Sequence, residues 1–270
     1  MSSALIRPDP APTAELRIAA LSGSPLVRPG DDLADLILQG LASSGLALRR
    51  GDMIVIAQKI VSKAEGRLVD LRTVPPSDRA QALAAETEKD PRVVELILRE
   101  STEVVRKRKG VLVVAHRCGY VLANAGIDAS NVGQGNAPAE SDNHVLLLPE
   151  DCNRSCRDIR AKLAARTGIE VGVLIIDSLG RAWRNGTVGH ALGAAGIPAL
   201  LDLAGQPDLF GRKLRTTQVG IGDEIAAAAS LLMGQADEGT PVVLMRGLDL
   251  AGGAGSAGDL IRPRELDLFR

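Results

Sequence analysis

Apolar residues in this chain form several short, continuous runs that are bounded by turn residues. The runs GDMIVIAQ at 51–58 and VGVLIID at 171–177 are the clearest, and their length and β-branched content predict buried strands. The same pattern predicts further strands within 15–27, 103–124, 144–149 and 241–247. The two runs inside 103–124 are predicted to pair with each other.

Helical spacing and capping residues predict the helices. Asp31 and Asp32 suit a helix N-terminus, and the apolar residues that follow, from Leu33 to Leu41, recur on one helical face. Residues 78–101 are predicted to form two helices, with Pro91 starting the second. The segment VGIGDEIAAAASLLMG predicts a turn into an alanine-rich helix.

The segment that begins PEDCNRSC gives the strongest helix prediction. Pro149 is placed in its first turn, Glu150 and Asp151 face the positive end of the helix dipole, Arg166 lies near the other end, and Gly168 closes the helix. Strands and helices alternate without a strict βαβ rhythm, which predicts a mixed α/β (α+β) architecture rather than a standard Rossmann sheet. The low-complexity stretch near 251–258 is predicted to be flexible.

Composition narrows the function. The chain has one Trp, one Tyr and two Phe, so it lacks the aromatic platform on which single-stranded nucleic acid stacks. Its 32 basic and 33 acidic residues give a net charge of −1, which provides no general attraction to nucleic acid or to an anionic membrane. Three cysteines without a C-x-x-C pair, an N-terminus without an apolar signal region and no long apolar run predict a cytoplasmic protein.

Familiar phosphate and metal motifs are missing from the sequence. No G-x-x-x-x-G-K-[ST] motif appears, which excludes a P-loop, and GQGNAP lacks the third glycine of a dinucleotide fingerprint. No H-E-x-x-H or paired C-x-x-C motif indicates zinc.

The segment LIIDSLGRAWRNGTVGHALG holds the main candidate site. Its apolar run stops at Asp177 and Ser178, where α/β proteins place ligand-binding groups. A carboxylate and a hydroxyl suit a hard divalent ion, while Arg181 and Arg184 suit phosphate or carboxylate. A simple turn cap explains the aspartate equally well.

Two further groups repeat this chemistry. Asp128 and Asn131 lie in a polar loop, where an Asx-turn is the alternative interpretation. Lys59 and Lys63 follow a predicted strand and are either solvated or able to neutralise phosphate. Together the residues describe a metal-assisted phosphate site.

Other residues have a plainer interpretation as well as a functional one. Cys152 and Cys156 are predicted to be small core residues. His190 could carry a proton, but a packed or hydrogen-bonded histidine is favoured. Glycines permit close approach to a ligand or to another chain at positions Gly186, Gly189, Gly193 and Gly196.

Several long motifs, in the same order along the chain, resemble one family. The segments GDMIVIAQKIVSKAEGR, ANAGIDASNV, LLPEDCNRSCRDIRAKL, DSLGRAWRNGTVGHALGAAGIPAL and DLFGRKLRTTQVGIGDEIAAAASLLMGQ are similar to those of the coenzyme F420-0:L-glutamate ligases, gamma-glutamyl ligases of the CofE type. The resemblance extends over nearly the whole chain. It implies a single ligase unit over 1–270 with two interleaved subdomains, and a homodimer.

The resemblance also implies roles for individual residues. Asp128 and Asp177 would bind one divalent Mg²⁺ or Mn²⁺ ion and Ser178 a second, with K⁺ assisting in some members. Asn131 and Lys63 would contact GTP, as would Gln58 and the segment formed by Leu21, Ser22, Gly23 and Ser24. The implied activity is GTP-dependent addition of L-glutamate, and then of gamma-linked glutamate, to the terminal carboxylate of F420-0.

This activity gives the segment around Asp177 a chemical purpose. Amide formation needs an activated carboxylate, usually an acyl phosphate, and cations stabilise the transferring phosphoryl group. Arg181 and Arg184 are then predicted to act as catalytic residues that hold phosphate or the substrate carboxylate. A different metal- and nucleotide-dependent acid ligase or kinase, and a non-catalytic nucleotide-binding protein, are the alternatives.

Overall fold

A computed structural model of the protein describes residues 15–130, 132, 143–248, 250 and 252–268. The strands are β1 (Arg17–Ala20), β2 (Met53–Ala57), β3 (Leu68–Asp70), β4 (Ser101–Arg108), β5 (Val111–His116), β6 (Val121–Ala123), β7 (His144–Leu146), β8 (Gly172–Arg181), β9 (Arg184–Ala195), β10 (Leu201–Asp202), β11 (Gln218–Val219) and β12 (Val242–Arg246). The helices are α1 (Leu33–Ser43), α2 (Gln58–Ala64), α3 (Asp78–Thr87), α4 (Pro91–Arg99), α5 (Cys152–Thr167) and α6 (Ile221–Met233). The mixed α+β prediction is confirmed. Among the described residues, no helix combines the length and apolar character that crossing a bilayer would require.

A five-stranded sheet with the order β1-β12-β2-β8-β9 forms the centre of the fold. β2 and β8 are parallel, and Ala57 pairs with Ile176 near their ends. Because β12 runs antiparallel to both β1 and β2, the strands β1, β2 and β8 all point the same way. Their carboxyl ends therefore meet at one edge of the sheet, which we call the site edge.

Each face of this sheet has its own aliphatic core. Helices α1 and α5 pack on one face, against Val173 and Ile175 of β8. Helix α6 packs on the other face, against Leu174 and Ile176. Alternate residues of β8 therefore point to opposite sides of the sheet, as the pleat requires.

The helix ends follow the capping residues closely. The Asp32 carboxylate caps α1 by accepting from the Ala34 amide at 2.9 Å. Pro91 lies in the first turn of α4, and Gly168 closes α5 in the left-handed region at φ 70°. The predicted place of Pro149 in the first turn of α5 is wrong, because Asp151 caps the helix and the first turn begins at Cys152.

The segment after Asp177 departs most from the sequence prediction. The strand does not stop at Asp177 but continues to Arg181, turns through two residues and returns as β9. Residues 182–187 are exposed and the β8 residues just before them are mostly half-buried and polar, so no apolar alternation marks this part of the hairpin as strand.

Glycines in β9 allow two helices to approach its backbone. A Cβ atom at Gly189 would lie 2.3 Å from the Ala226 carbonyl oxygen of α6, and one at Gly193 would lie 2.4 Å from the Cys152 carbonyl oxygen of α5. A β-bulge between these glycines lets them serve opposite faces of the sheet. Close approach was expected for a ligand or another chain, but at these two positions the neighbours are the protein's own helices.

Residues 68–148 stand between α2 and α5 in the chain and add a second part to the fold. The sheet β4-β5-β6 includes the predicted pair β5–β6, which is antiparallel. The strands that precede and follow this sheet in the chain, β3 and β7, form a small sheet of their own. Helices α3 and α4 cover a separate core that includes Ile97 and Val114. Leu122 and Leu148 join the core of the main sheet, so the two parts pack together.

A buried carboxylate ties the second part to the chain that follows α2. Glu100 is 8% exposed and accepts hydrogen bonds from Arg67 at 2.9 Å and from Arg117 at 3.1 Å. Burial alone would raise the pKa of Glu100, but His116, Arg67 and Arg117 outweigh it and lower that pKa to about 2.

We predict that Glu100→Gln lowers the free energy of unfolding at pH 7 by roughly 3 kcal/mol, because two guanidiniums lose their partner. A lowered pKa means that the folded state binds fewer protons than the unfolded state between about pH 2 and 4.5. The stabilisation is therefore complete above that range and is lost as the pH falls through it. Urea unfolding at pH 7 and at steps down to pH 3.5 should show the difference between the two proteins shrinking.

Glu86→Gln is the matched control, because Glu86 pairs with Lys107 at the exposed surface. It should change the free energy of unfolding by less than about 1 kcal/mol at every pH. A Glu100→Gln difference that stayed constant from pH 7 to pH 3.5 would contradict the assignment.

Candidate active site

Residues that were predicted separately in the sequence come together at the site edge. Leu21 follows β1, and its amide donates to the Val242 carbonyl at 2.9 Å. Gln58 follows β2, and Asp177 lies one residue beyond the partner of Ala57 in β8. The segment predicted to contact the nucleotide, the start of α2 and Asp177 thus line one edge of a single sheet.

Asp128 reaches this edge from the second part of the fold. Its backbone is fixed by two hydrogen bonds with Leu146, at 3.0 and 2.8 Å. Its carboxylate lies 3.2 Å from the Lys59 ammonium and accepts from the Gln58 amide at 3.3 Å. The structure therefore places Asp128 beside the end of β2.

The polar residues of α2 are positioned by contacts of their own. The Gln58 side chain is 2% exposed, and its carbonyl oxygen accepts from the Ser62 hydroxyl at 2.9 Å, which directs the amide nitrogen to Asp128. The Lys59 ammonium also donates to the Ser130 carbonyl at 3.1 Å. Both contacts hold the loop of Asp128 against the helix.

The electrostatics at Asp177 are unusual for an aspartate. Burial and the negative charge of Asp128 raise the pKa of Asp177 to about 7, against the opposing effects of the Ser178 amide and Lys59. The Ser178 amide donates to the Asp177 carboxylate at 2.8 Å. Two carboxylates that repel each other would be stabilised by a cation between them.

The donor set restricts which cation fits. Among the residues that the structure describes, no group of three or more His, Cys, Asp or Glu side chains surrounds a common point. The site offers the carboxylates of Asp128 and Asp177, so water or phosphate oxygens would complete the shell. Mg²⁺ and Mn²⁺ accept this arrangement, because they prefer oxygen ligands and Mg²⁺ retains several waters.

Ser178 lies on the other side of the sheet from Asp177. The alternation of β8 directs Ser178 toward α6, and its hydroxyl donates to the Gln235 side-chain oxygen at 2.7 Å, just beyond that helix. The resemblance assigns Ser178 to a second ion, and the structure places it apart from the carboxylate pair. This contact of Gln235 was not predicted from the sequence. Apart from its position shortly before β12, nothing in the sequence marks Gln235 as a partner of Ser178.

Lys63 is one helical turn beyond Lys59 on α2, so both ammonium groups follow the same side of the helix. Burial, and then the positive charge of Lys59, lower the pKa of Lys63. An anion near both lysines would relieve their repulsion. Asn131, the other predicted nucleotide contact, lies outside the described residues.

The segment after β1, which was predicted to contact the nucleotide, presents polar residues to the surface. Leu21 is buried and anchors the segment, whereas Ser22 and Gly23 are exposed. The Ser22 amide donates to the Ser44 hydroxyl at 2.9 Å. Gly23 adopts φ 74°, where a side chain would be strained.

The two arginines are not next to the carboxylates. Arg181 and Arg184 pair across the outer end of the β8–β9 hairpin, and the Arg181 guanidinium donates to the Gly186 carbonyl at 2.9 Å. Arg181 lies four residue steps along the strand from Asp177, a distance of roughly 13 Å between their Cα atoms. The structure does not bring these arginines together with the predicted metal ligands.

The plainer interpretations of the histidine and the cysteines are confirmed. His190 pairs with Asp177 across the sheet, and its Nδ1 lies 2.9 Å from the Val188 carbonyl oxygen. Cys152 and Cys156 are 2% and 0% exposed within the core.

Comparison with known proteins identifies the family. A family model described as F420-0:Gamma-glutamyl ligase matches residues 23–247. The chain is 46% identical over 259 residues to the coenzyme F420:L-glutamate ligase of Methanopyrus kandleri, a match that covers 94% of this chain and 98% of that protein. It is 41% identical over 255 residues to the ligase of the same name from Archaeoglobus fulgidus, covering 94% and 96% of the two chains. The chain belongs to the F420-0:gamma-glutamyl ligase family and is therefore a ligase.

Proposed function

We propose that this protein joins L-glutamate to the terminal carboxylate of F420-0, and then further glutamate through gamma-linkages, with GTP as the energy source. The observation that carries the proposal is the meeting of Asp128, Asp177 and Lys59 at the ends of parallel strands, in a member of this family. Carboxylates for a cation, placed beside lysines for phosphate, are what phosphoryl transfer requires.

The carboxylate pair fits a divalent ion. The raised pKa of Asp177, caused by burial and by Asp128, indicates a site that is short of positive charge. Asp128 and Asp177 would hold Mg²⁺ or Mn²⁺ there, and Ser178 would serve a second ion. The ions would neutralise charge that develops on the transferring phosphoryl group.

The lysines and the loop after β1 suit the nucleotide. Lys63 and Lys59 would contact its phosphates as point charges. The Leu21–Ser24 segment, at the end of β1, would approach the same nucleotide from the other side of β12 with its exposed residues Ser22 and Gly23. Gln58 would position Asp128 through their hydrogen bond, in addition to contacting the nucleotide.

The proposed chemistry has two steps. An oxygen of the acceptor carboxylate bonds to the γ-phosphorus of GTP, and the bond between that phosphorus and the leaving GDP oxygen breaks. The glutamate amine then attacks the acyl carbon, loses a proton, and displaces inorganic phosphate. Phosphorylation is needed because a free carboxylate has no adequate leaving group.

We predict one GDP and one phosphate for each amide bond, with no GMP or pyrophosphate. If the acceptor carboxylate carries oxygen-18, the label should appear in the released phosphate, because that oxygen bridges carbon and phosphorus in the intermediate. Mass spectrometry of phosphate and product measures this. Label that stays wholly in the amide and the unreacted acid would exclude the acyl phosphate, and turnover that does not need glutamate would exclude the ligase.

We predict that Mn²⁺ raises the melting temperature of the wild-type protein and that Asp177→Asn and Asp128→Asn remove this increase, because each loses a charged ligand. Activity should fall by about 10²-fold or more in both variants. Asp158→Asn removes an exposed carboxylate on α5 and is the control that should respond to Mn²⁺ like the wild type. A normal Mn²⁺ response in Asp177→Asn would rule out the ligand role.

We predict that Lys63→Ala raises the KM for GTP by roughly tenfold or more, because a charge-assisted phosphate contact is lost. The KM for glutamate should stay unchanged. Lys89→Ala is the control, since Lys89 is also a lysine with a pKa lowered by burial but lies in the second part of the fold. Steady-state kinetics in which both variants behaved alike toward GTP would return Lys63 to a structural role.

A further inference from the structure

The chain reaches Asp128 through a left-handed turn. Asn124, Ala125 and Gly126 have positive φ angles of 52°, 55° and 67°. Ile127 then returns to extended backbone. Residues other than glycine rarely occupy the left-handed region in succession, and asparagine tolerates it best. A turn of this kind needs contacts that hold it, and it stands directly between β6 and a carboxylate that is proposed to bind a metal ion.

The Asn124 side chain ends the pairing of β6 with β5. The two strands pair antiparallel as far as Ala123. The His116 amide of β5 donates to the Tyr120 carbonyl at 2.7 Å, and the Leu112 amide, four residues earlier on β5, faces the same side. A continued ladder would therefore have the Leu112 amide donate to the Asn124 backbone carbonyl. The amide donates instead to the Asn124 side-chain oxygen, at 3.1 Å.

This exchange frees the backbone carbonyl of Asn124 for the turn. That oxygen accepts from the Ile127 amide at 3.0 Å, which closes the turn and ends β6. Leu112 is 0% exposed, so water could not replace the side chain as the partner of its amide. A single asparagine therefore satisfies a buried amide of β5 and lets the chain turn away from that strand.

Packing on the turn fixes the path of the chain toward Asp128. Ala125 is buried and belongs to the core of the second part of the fold. A Cβ atom at Gly126 would lie 2.9 Å from Cδ1 of Leu148, so the backbone there is in close contact with that side chain. Asp128 follows two residues later and is held by its two hydrogen bonds with Leu146. The turn therefore sets where the Asp128 carboxylate lies.

We propose that Asn124 is a positioning residue for the Asp128 carboxylate, which it places beside Lys59 and close enough to Asp177 to repel it. Asn124 acts through the path of the backbone and is not itself a metal ligand. Without its side-chain oxygen, the buried amide of β5 would compete for the backbone carbonyl that closes the turn. This proposal rests on the proposed function, in which Asp128 and Asp177 share a divalent ion.

Calorimetric titration of the nucleotide-free protein with MnCl2 tests the proposal without any turnover. Asn124→Gly keeps the left-handed backbone but removes the acceptor, so we expect the Kd for Mn²⁺ to rise roughly tenfold or more. Asn124→Asp keeps an acceptor oxygen in the same place and should recover most of the affinity. If circular dichroism shows that Asn124→Gly does not fold, Asn124→Gln takes its place, because one more methylene group displaces the same carbonyl oxygen.

Kinetics separate positioning of a metal ligand from a general loss of structure. Asn124→Gly should lower kcat at limiting Mn²⁺ and regain part of it when Mn²⁺ is raised about tenfold, because more ion offsets weaker binding. The KM for glutamate should stay unchanged. Ile97→Val is the matched control, since it removes a methylene group from the core that contains Ala125 but leaves the turn intact. It should lower the melting temperature and bind Mn²⁺ like the wild type.

Two outcomes would overturn the proposal. One is a wild-type affinity for Mn²⁺ in Asn124→Gly together with a lowered melting temperature, which would show a purely structural role. The other is an equal loss of affinity in Ile97→Val, because loosening of the second part would then explain the effect. Failure of the proposed function looks different: the wild type would bind Mn²⁺ and Asn124→Gly would weaken that binding, but no glutamate would be joined to F420-0.

Discussion

The ion pair between Lys59 and Asp128 joins the two parts of the molecule at the point where the chemistry is proposed to occur. Asp128 belongs to the part inserted after α2, whereas Lys59 stands at the start of α2, directly after a central strand. The contact holds a second carboxylate near Asp177. Burial of Asp177 and the charge of Asp128 raise the pKa of Asp177, although Lys59 opposes this rise. Without the Lys59 ammonium and the Gln58 amide, no contact of the Asp128 carboxylate within the described part of the chain would offset its repulsion by Asp177.

The proximity of two carboxylates lowers the stability of the folded protein, and interactions in other parts of the fold compensate for this loss. Two carboxylates in a partly buried site destabilise the protein when both are ionised. The cores on the two faces of the sheet, and the buried Glu100 with its two arginines, provide compensating interactions away from the site. Local destabilisation at a site and stabilisation elsewhere is the usual pattern in enzymes.

Most elements of the fold could be predicted because their burial leaves a clear mark on the sequence. β2 and the first half of β8 are buried on both faces and show as continuous apolar runs. The outer half of β8 could not be predicted as a strand because polar residues and a glycine interrupt the apolar run, and the glycines of β9, which let α5 and α6 approach, leave no apolar pattern there. β4 was not predicted either, because half of its sequence STEVVRKR is charged and half of its residues are exposed.

In the candidate site, too, the sequence predicts some features and not others. The residue types of Asp128, Asp177 and Lys63 indicate their chemistry, and the family resemblance supplied their roles. Contacts between distant segments, such as that of Ser178 with Gln235, depend on which strands are neighbours and leave no local pattern.

The length of the β8–β9 hairpin places Arg181 and Arg184 at a distance from the site edge. At the site edge, carboxylates and lysines can act on a phosphoryl group only if they lie within a few ångströms of it, because their effects fall with distance and with exposure to water. Recognition of a long acceptor needs contacts far from that point, and a rigid pair of strands can hold them at a fixed spacing. Binding energy from such remote contacts can then position the reacting carboxylate. Under the proposed function, the half-buried strand beyond Asp177 would therefore belong to the site together with the buried strand before it.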